Sequence, residues 1–112
     1  MLLVMAVIFI LSQQPGDRIH LPSFPQSDKV AHCIAYATLA ATAIFAFSPR
    51  RPAVCAALAF VISAAYGASD EWHQSFVIGR SVSFFDFLAD CLGAALFIGC
   101  WLAWRWAKGK KA

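Results

Sequence analysis

The stretch AVCAALAFVISAAYGASDEWHQ, residues 53–74, decides what kind of fold this chain adopts. Residues 53–69 carry no charged group, and as an α-helix they would extend about 25 Å at roughly 1.5 Å per residue. That length approaches the hydrocarbon thickness of a bilayer, which is about 30 Å. Two adjacent acids, Asp70 and Glu71, follow the apolar run. The pattern predicts a membrane-spanning helix with charged groups at one end.

Three further apolar segments complete the chain, over residues 1–11, 30–47 and 84–106. The first would cover only about 17 Å as a helix, whereas the other two reach about 25 Å or more, enough to span a bilayer with modest adjustment. Prolines, glycines and polar residues separate the four segments, as is typical of loops. We therefore predict an all-α integral membrane bundle of four helices, the first one short. A single domain covers residues 1–112, with spans at about 1–11, 30–47, 53–69 and 84–106.

The composition supports a membrane environment and excludes several classes of protein. The 112 residues are 61% hydrophobic and only 13% charged, with a mean hydropathy of +0.67. An ordinary soluble domain carries about 25% charged residues. A cytosolic enzyme, a disordered tail and a nucleic-acid-binding module are therefore excluded, and the lipid bilayer is the predicted partner. The four cysteines lack the short spacing of a zinc or redox motif and are interpreted as packing residues.

The distribution of lysine and arginine predicts the orientation. With four spans, the two termini and the second loop share one side of the membrane. That side holds six basic residues: Arg50, Arg51, Arg105, Lys108, Lys110 and Lys111. The other side holds three: Arg18, Lys29 and Arg80. The positive-inside rule then predicts a multi-pass protein of the inner (cytoplasmic) membrane with both termini in the cytoplasm.

The acidic residues gather at the opposite, outer side. All six lie on or near it: Asp17, Asp28, Asp70, Glu71, Asp86 and Asp90. Several recur at helical spacing with other polar residues, which puts each set on one helix face. The three sets are Asp28, His32 and Tyr36; Tyr66, Asp70 and Gln74; and Asp86, Asp90 and Gly93. Because a charged side chain facing lipid is costly, we expect these faces to converge on a shared pocket.

The charges in this region do not balance. Its five acids (Asp28, Asp70, Glu71, Asp86 and Asp90) face two bases, Lys29 and Arg80, which leaves a net −3 with neutral histidines. Either an acid is protonated, or His32 or His73 is charged, or a cation binds. Taken singly, Asp28 and Asp86 also fit as helix-capping residues. The predicted ligand-binding residues are Asp28, Lys29, His32, Tyr36, Tyr66, Asp70, Glu71, Gln74, Arg80 and Asp86.

These residues together resemble the VanZ-like family. The resemblance rests on Asp28-Lys29-x-x-His32-x-x-x-Tyr36, Tyr66-x-x-x-Asp70-Glu71-x-x-Gln74, Gly79-Arg80, Asp86 and Gly93, with Ser12-Gln13-Gln14-Pro15 after the first segment. It implies a small multi-helix membrane protein of the cell envelope. The founding member of the family is linked to low-level resistance to the glycopeptide antibiotic teicoplanin, so the resemblance also implies a connection to antibiotic resistance. Asp90 departs from the family pattern, in which an asparagine is usual.

Two functions remain open from the sequence. In the first, the outer pocket binds or protects an anionic cell-envelope component, such as a lipid or cell-wall precursor, and influences glycopeptide sensitivity. Lys29 and Arg80 would receive a phosphate. In the second, the protein is a membrane-embedded hydrolase or transferase acting on a lipid-linked substrate. Its catalytic candidates are His32 and Glu71 as general base, with Asp70 orienting a histidine.

Whether the chain is an enzyme therefore stays open at this stage. No cofactor and no metal ligand are assigned, although a divalent cation is an alternative, held by His32, His73, Asp70 and Asp86. A transporter is disfavoured because the inner half of the spans offers few polar groups. Small residues such as Gly99 and Ala103 could support helix contacts in a homo-oligomer.

Overall fold

The computed structural model describes residues 1–13, 27–48, 50–77 and 84–111. Within these ranges the protein is built from four helices, with no strand. They are α1 (Leu2–Gln13), α2 (Ser27–Phe47), α3 (Pro52–Gln74) and α4 (Phe84–Lys111). The prediction of an all-α bundle with a short first helix is confirmed. Arg80 and Asp17 lie outside the described residues, and so does the side chain of Asp28.

Three of these helices are long and apolar enough to cross a membrane, over Lys29–Phe47, Pro52–Gln74 and Phe84–Gly109. The apolar part of α1, Leu2–Leu11, is shorter. Large hydrophobic side chains cover the outside of the bundle, as on Phe45, which is 84% exposed. Since water would penalise such a surface, its natural solvent is lipid. The chain is therefore a multi-pass membrane protein.

The ends of α3 follow local rules. Pro52 occupies the first turn. Backbone N–H groups in a first turn have no acceptor within the helix, so the absence of an N–H in proline costs no hydrogen bond there. At the other end, the backbone N–H of Ser75 donates to the carbonyl oxygens of Glu71 and Trp72, both at 3.2 Å. The helix therefore continues five residues beyond the predicted span end at residue 69, and this extra turn brings Asp70, Glu71 and Gln74 onto its buried face.

Small residues let α2, α3 and α4 approach closely. One core cluster consists of Ala40, Ala43, Ile44, Ala59, Ala94 and Ile98, and a second of Ile8, Tyr36 and Leu39. Helices α2 and α4 approach closely at Gly93, where an added Cβ would lie only 2.0 Å from the carbonyl oxygen of Cys33. Close packing of this kind replaces the hydrophobic driving force that is missing between helices in lipid.

The helices run alternately up and down, which separates charges by sign. We call the end where α2 and α4 begin and α3 finishes the acidic end, because it holds Asp70, Glu71, Asp86 and Asp90. The opposite, basic end holds Arg50, Arg105 and Lys108. Helix α1 leans on α2 and α3, and Phe9 near its C-terminal end stacks on the ring of His73. A homo-oligomer through the exposed Gly99 region stays a prediction.

The close approach at Gly93 generates a test. Gly93→Ala forces α2 and α4 apart or shifts them, and we expect it to lower the free energy of unfolding by about 1–3 kcal/mol, the usual effect of overpacking. Thermal melting of the detergent-solubilised protein measures the change. Gly99→Ala is the matched control in the same helix, because nothing lies within 4 Å of its added Cβ. It should melt at or slightly above the wild-type temperature; equal losses in both variants would contradict the described packing.

Candidate functional site

Among the residues that the structure describes, four carboxylates are buried at the acidic end of the bundle. Asp70, Glu71 and Asp86 are each 6% exposed, and Asp90 is fully buried. Asp70 and Glu71 lie in the last turn of α3, whereas Asp86 and Asp90 lie one turn apart near the start of α4. The antiparallel arrangement of α3 and α4 brings the two pairs to the same level. Burying several like charges together is unfavourable unless opposite charges or hydrogen bonds compensate them.

The central contact of the site joins α2 to α4. Nδ1 of His32 lies 2.7 Å from Oδ1 of Asp90. A carboxylate can only accept, so the imidazole N–H at Nδ1 is the donor. The same nitrogen is 3.9 Å from Oε1 of Glu71, which places His32 between carboxylates of α3 and α4. A single imidazole thus bridges three helices.

Around this contact, four side chains that could each offer a ligand atom to a metal ion converge. One atom from each of His32, Asp70, Glu71 and Asp90 lies within 4.8 Å of the others. We call these four residues the His–acid cluster. Gly67, one turn before Asp70 and Glu71, makes room for it, since a Cβ at this position would be 3.0 Å from Oδ2 of Asp90. A larger residue there would press directly on the carboxylate.

A second ion pair lies one helical turn away from the His–acid cluster. Nζ of Lys29, at the start of α2, is 3.4 Å from Oδ1 of Asp86. The Lys29 side chain keeps 32% of its surface exposed, whereas that of Asp86 is 8% exposed. The pair therefore presents a positive group at the surface and a buried carboxylate behind it.

Lys29 also marks one end of an apolar groove. This groove runs between α2 and α4, has a volume of about 550 Å³ and is lined by Lys29, Val30, Cys33, Phe85, Leu88, Ala89 and Leu92. Apart from Lys29, its walls are apolar side chains. Since Val30, Leu88 and Leu92 are exposed on the bundle surface, the groove opens sideways, towards where lipid would be. Its size is typical of ligand-binding pockets.

The aromatic and amide residues of the predicted site have different neighbours. The hydroxyl of Tyr66 donates to the carbonyl oxygen of Met5 at 2.6 Å and so ties α3 to α1. The ring of Tyr36 is buried 6.4 Å from the ring of Tyr66. Gln74 is buried in the last turn of α3. Tyr66 therefore has a clear role in holding α1 in place, beside any role in binding.

The structure brings most of the predicted residues to one end but groups them differently from the sequence hypothesis. Lys29, His32, Asp70, Glu71 and Asp86 all lie there, whereas the position of Arg80 falls outside the described residues. His73 stacks on Phe9, with ring centroids 5.0 Å apart, and Asp86 pairs with Lys29. The four-residue metal set that included His73 and Asp86 is thus not the set that converges.

Asp90 is the residue that the predicted ligand-binding list omitted. It accepts the hydrogen bond from His32, whereas the sequence hypothesis assigns the orienting of a histidine, not specified further, to Asp70. Two signals in the sequence pointed to it: it lies four residues after Asp86, on the same helix face, and it stands where the family usually has asparagine. Which of the two carboxylates the histidine would meet depended on how α3 and α4 are rotated.

These features define a class of protein: a small multi-pass membrane protein whose helices enclose a buried His–acid cluster at one end. The sequence matches the VanZ/LLP1 family over residues 1–105, and the chain belongs to this family. No curated protein matches it, and no solved structure does.

The His32–Asp90 contact predicts strong energetic coupling. His32→Ala leaves a buried carboxylate without its partner, and we expect it to lower the free energy of unfolding by about 3 kcal/mol. Asp90→Ala removes that charge, so the double variant should be clearly more stable than the sum of the two single losses predicts. Chemical denaturation in detergent micelles gives the three values.

The control for this cycle is Thr38→Ala on the same helix. Thr38 is exposed, and its hydroxyl donates only to the carbonyl oxygen of Ile34 within α2. Its loss should change the unfolding free energy by no more than about 0.5 kcal/mol. Additive effects of His32→Ala and Asp90→Ala would show that the two side chains do not interact as described.

Proposed function

We propose that this protein binds a lipid-anchored, phosphate-bearing component of the cell envelope, with its acidic end in the outer leaflet of the cytoplasmic membrane. The observation that carries the proposal is the apolar groove between α2 and α4, which opens to the lipid and has Lys29 at one end. A lipid or a lipid-linked cell-wall precursor combines the same two properties, an apolar chain and an anionic headgroup. An effect on glycopeptide sensitivity would follow from holding such a precursor.

The groove provides the apolar half of this recognition. Val30, Leu88 and Leu92 flank it and are all partly exposed to the surrounding lipid. A hydrocarbon chain can therefore enter from the side without crossing a polar barrier. Since the lipid and the groove are equally apolar, moving a hydrocarbon chain between them changes the free energy little. The hydrocarbon chain therefore contributes to binding through its fit to the groove.

Lys29 provides the polar half. Its ammonium group carries three donors and lies 3.4 Å from Oδ1 of Asp86, while 32% of the side-chain surface stays exposed. Asp86 holds the ammonium group in position, and the exposed part of Lys29 can donate to a phosphate oxygen. Arg80, which the sequence hypothesis paired with Lys29, remains a proposed second contact.

The orientation in the membrane is part of the proposal and is supported by the basic end. The ammonium group of Lys108 lies over the ring of Trp104, 4.6 Å from the ring centroid. The guanidinium of Arg105 lies 5.4 Å from the ring centroid of Trp101. Basic residues combined with tryptophan are typical of the cytoplasmic interface. Helix α1 points its N-terminus away from the acidic end, since Phe9 near its other end stacks on His73 and Met1 packs against the core cluster that contains Ala40 and Ile44. Both termini are accordingly proposed to be cytoplasmic.

A second candidate function, a membrane-embedded hydrolase or transferase, is favoured by the His32–Asp90 contact. An imidazole fixed through Nδ1 by a carboxylate presents its other nitrogen as a base, as histidines do in acid–base catalysis. His32 would then be the general base, and Asp90 rather than Asp70 would orient it. The same lipid-linked substrates would serve this activity.

The binding proposal predicts a strong effect of Lys29. In nanodiscs of phosphatidylcholine, added polyprenyl phosphate should bind the wild-type protein, and Lys29→Ala should weaken binding about tenfold or more, since a charge-assisted hydrogen bond contributes about 1.5–3 kcal/mol. Lys29→Arg should retain most of the affinity. Native mass spectrometry of the discs counts the bound lipid.

The matched control is Lys108→Ala, which removes a lysine at the basic end. It should leave binding unchanged. Equal affinity of wild-type and Lys29→Ala protein would refute the binding site. Conversion of the lipid to a product by the wild-type protein, lost in His32→Gln, would establish the enzyme instead.

The orientation predicts the location of both chain ends. Green fluorescent protein fused to either terminus should fluoresce, because it folds only on the cytoplasmic side, whereas alkaline phosphatase fused at the same points should be inactive. Alkaline phosphatase inserted after Gly79 should be active in the oxidising periplasm. The opposite pattern would place the acidic end inside the cell and remove the support for an outer-leaflet ligand.

A further inference from the structure

We propose that His32, Asp70, Glu71 and Asp90 form a binding site for one divalent cation of the Mn²⁺ or Zn²⁺ type. This inference uses residues other than the Lys29 groove and does not depend on the proposed lipid ligand. It assigns the buried His–acid cluster a separate function, the coordination of a cation.

The geometry is close to what a metal ion requires. Metal–ligand distances of about 2.0–2.2 Å keep any two donors of one ion within about 4.4 Å of each other. The four donor atoms here already lie within 4.8 Å of one another. A contraction of a few tenths of an ångström, well within the range of side-chain rotation, would complete the coordination.

The donor chemistry selects the type of ion. One imidazole nitrogen and three carboxylate oxygens form a mixed set. The imidazole binds an ion only through an unprotonated nitrogen, so an ion bound at Nδ1 would displace the proton that Nδ1 donates to Asp90. Imidazole favours zinc and other transition metals, whereas carboxylates suit manganese, magnesium and calcium. Mn²⁺ and Zn²⁺ accept both kinds of donor, and the absence of thiolate from the set argues against Cu⁺.

A second, independent observation points to a ligand at this place. Asp90 is fully buried, and its Oδ2 atom has no hydrogen-bond partner among the described residues, although Oδ1 accepts from His32. A buried carboxylate oxygen that accepts nothing is costly, by about 1–3 kcal/mol or more for a charged group. Coordination of a cation is the interaction that such an oxygen makes best.

The charge of the cluster also favours a cation. Taken by themselves, with a neutral imidazole and ionised carboxylates, the four residues of the cluster carry a formal charge of −3 at the buried end of the bundle. Lys29 is not in the set and forms its ion pair with Asp86. A divalent ion would reduce the cluster to −1, and in a low-dielectric environment this reduction is strongly stabilising.

Gly67 supports the same interpretation. A Cβ added at residue 67 would lie only 3.0 Å from Oδ2 of Asp90. The missing side chain of Gly67 therefore leaves the space that this oxygen occupies. Any larger residue would push the carboxylate from its place without removing a ligand. Gly67 thus provides a way to disturb the site that does not change its charge.

The test is a titration of chelator-treated, detergent-solubilised protein with MnCl₂ and with ZnCl₂, in the absence of added lipid phosphate. Isothermal titration calorimetry gives the affinity, and elemental analysis after desalting gives the stoichiometry. We expect one ion per chain for the wild-type protein. Asp90→Asn and His32→Gln should each lower the affinity by at least about 100-fold, because removing even an outer-shell partner costs about 10–100-fold.

Two further variants separate coordination from folding and from general charge. Gly67→Ala should lower the affinity about tenfold while keeping every ligand. Asp86→Asn removes a buried charge of the same type, one turn from Asp90, and should lower the affinity much less than Asp90→Asn, because Asp86 supplies charge but no ligand. The ion should raise the melting temperature of the wild-type and Asp86→Asn proteins. It should raise the melting temperature of Asp90→Asn much less.

Two results would overturn the metal site. One is the failure of folded wild-type protein to bind either ion stoichiometrically, which would leave protons or water to satisfy the cluster. The other is an equal loss of affinity in Asp86→Asn and Asp90→Asn, which would mean that the ion is attracted by the acidic end in general. Neither result bears on lipid phosphate binding, which is measured separately through Lys29.

Discussion

The bond between His32 and Asp90 is the interaction on which the acidic end of the bundle depends. It joins α2 to α4 through a fully buried carboxylate, and Glu71 of α3 approaches the same imidazole nitrogen. Because Asp90 is fully buried, separating the pair would leave its carboxylate without a compensating partner. The pair therefore constrains the relative rotation of three helices, and the positions of the remaining polar side chains follow from it.

The packing of the bundle serves the same arrangement. The α2–α4 distance is set by the absence of a side chain at Gly93, and alanines continue the close contact towards the basic end. Only with the helices this close can a histidine on α2 reach an aspartate on α4 at 2.7 Å. Gly67 plays a similar part on α3, where a side chain would collide with Asp90. The small residues thus permit the close helix packing that lets the charged side chains contact each other.

The acidic end then divides into two chemically different regions. One is the buried His–acid cluster, which is negative and suited to a cation. The other is the Lys29–Asp86 pair beside the apolar groove, which presents a positive group to a lipid-facing surface. Under the two proposals made above, this division would let the same end of the bundle bind a cation internally and an anionic headgroup at its surface. A cation in the cluster would also reduce the repulsion between that headgroup and the buried carboxylates.

The sequence by itself determined the membrane class, the four helices and the gathering of acids at one end. These properties depend on composition and on helical spacing, which are local and additive along the chain. Apolar length alone ends the third span at residue 69, whereas the helical spacing of Tyr66, Asp70 and Gln74 already indicates the continuation of α3 to Gln74 that the structure has. Only the tertiary structure decided that Asp90 contacts His32, that Asp86 forms an ion pair with Lys29, and that His73 stacks on Phe9. Those partnerships depend on the rotation of each helix about its own axis, which is set by packing between residues distant in sequence, such as Gly93 and Cys33.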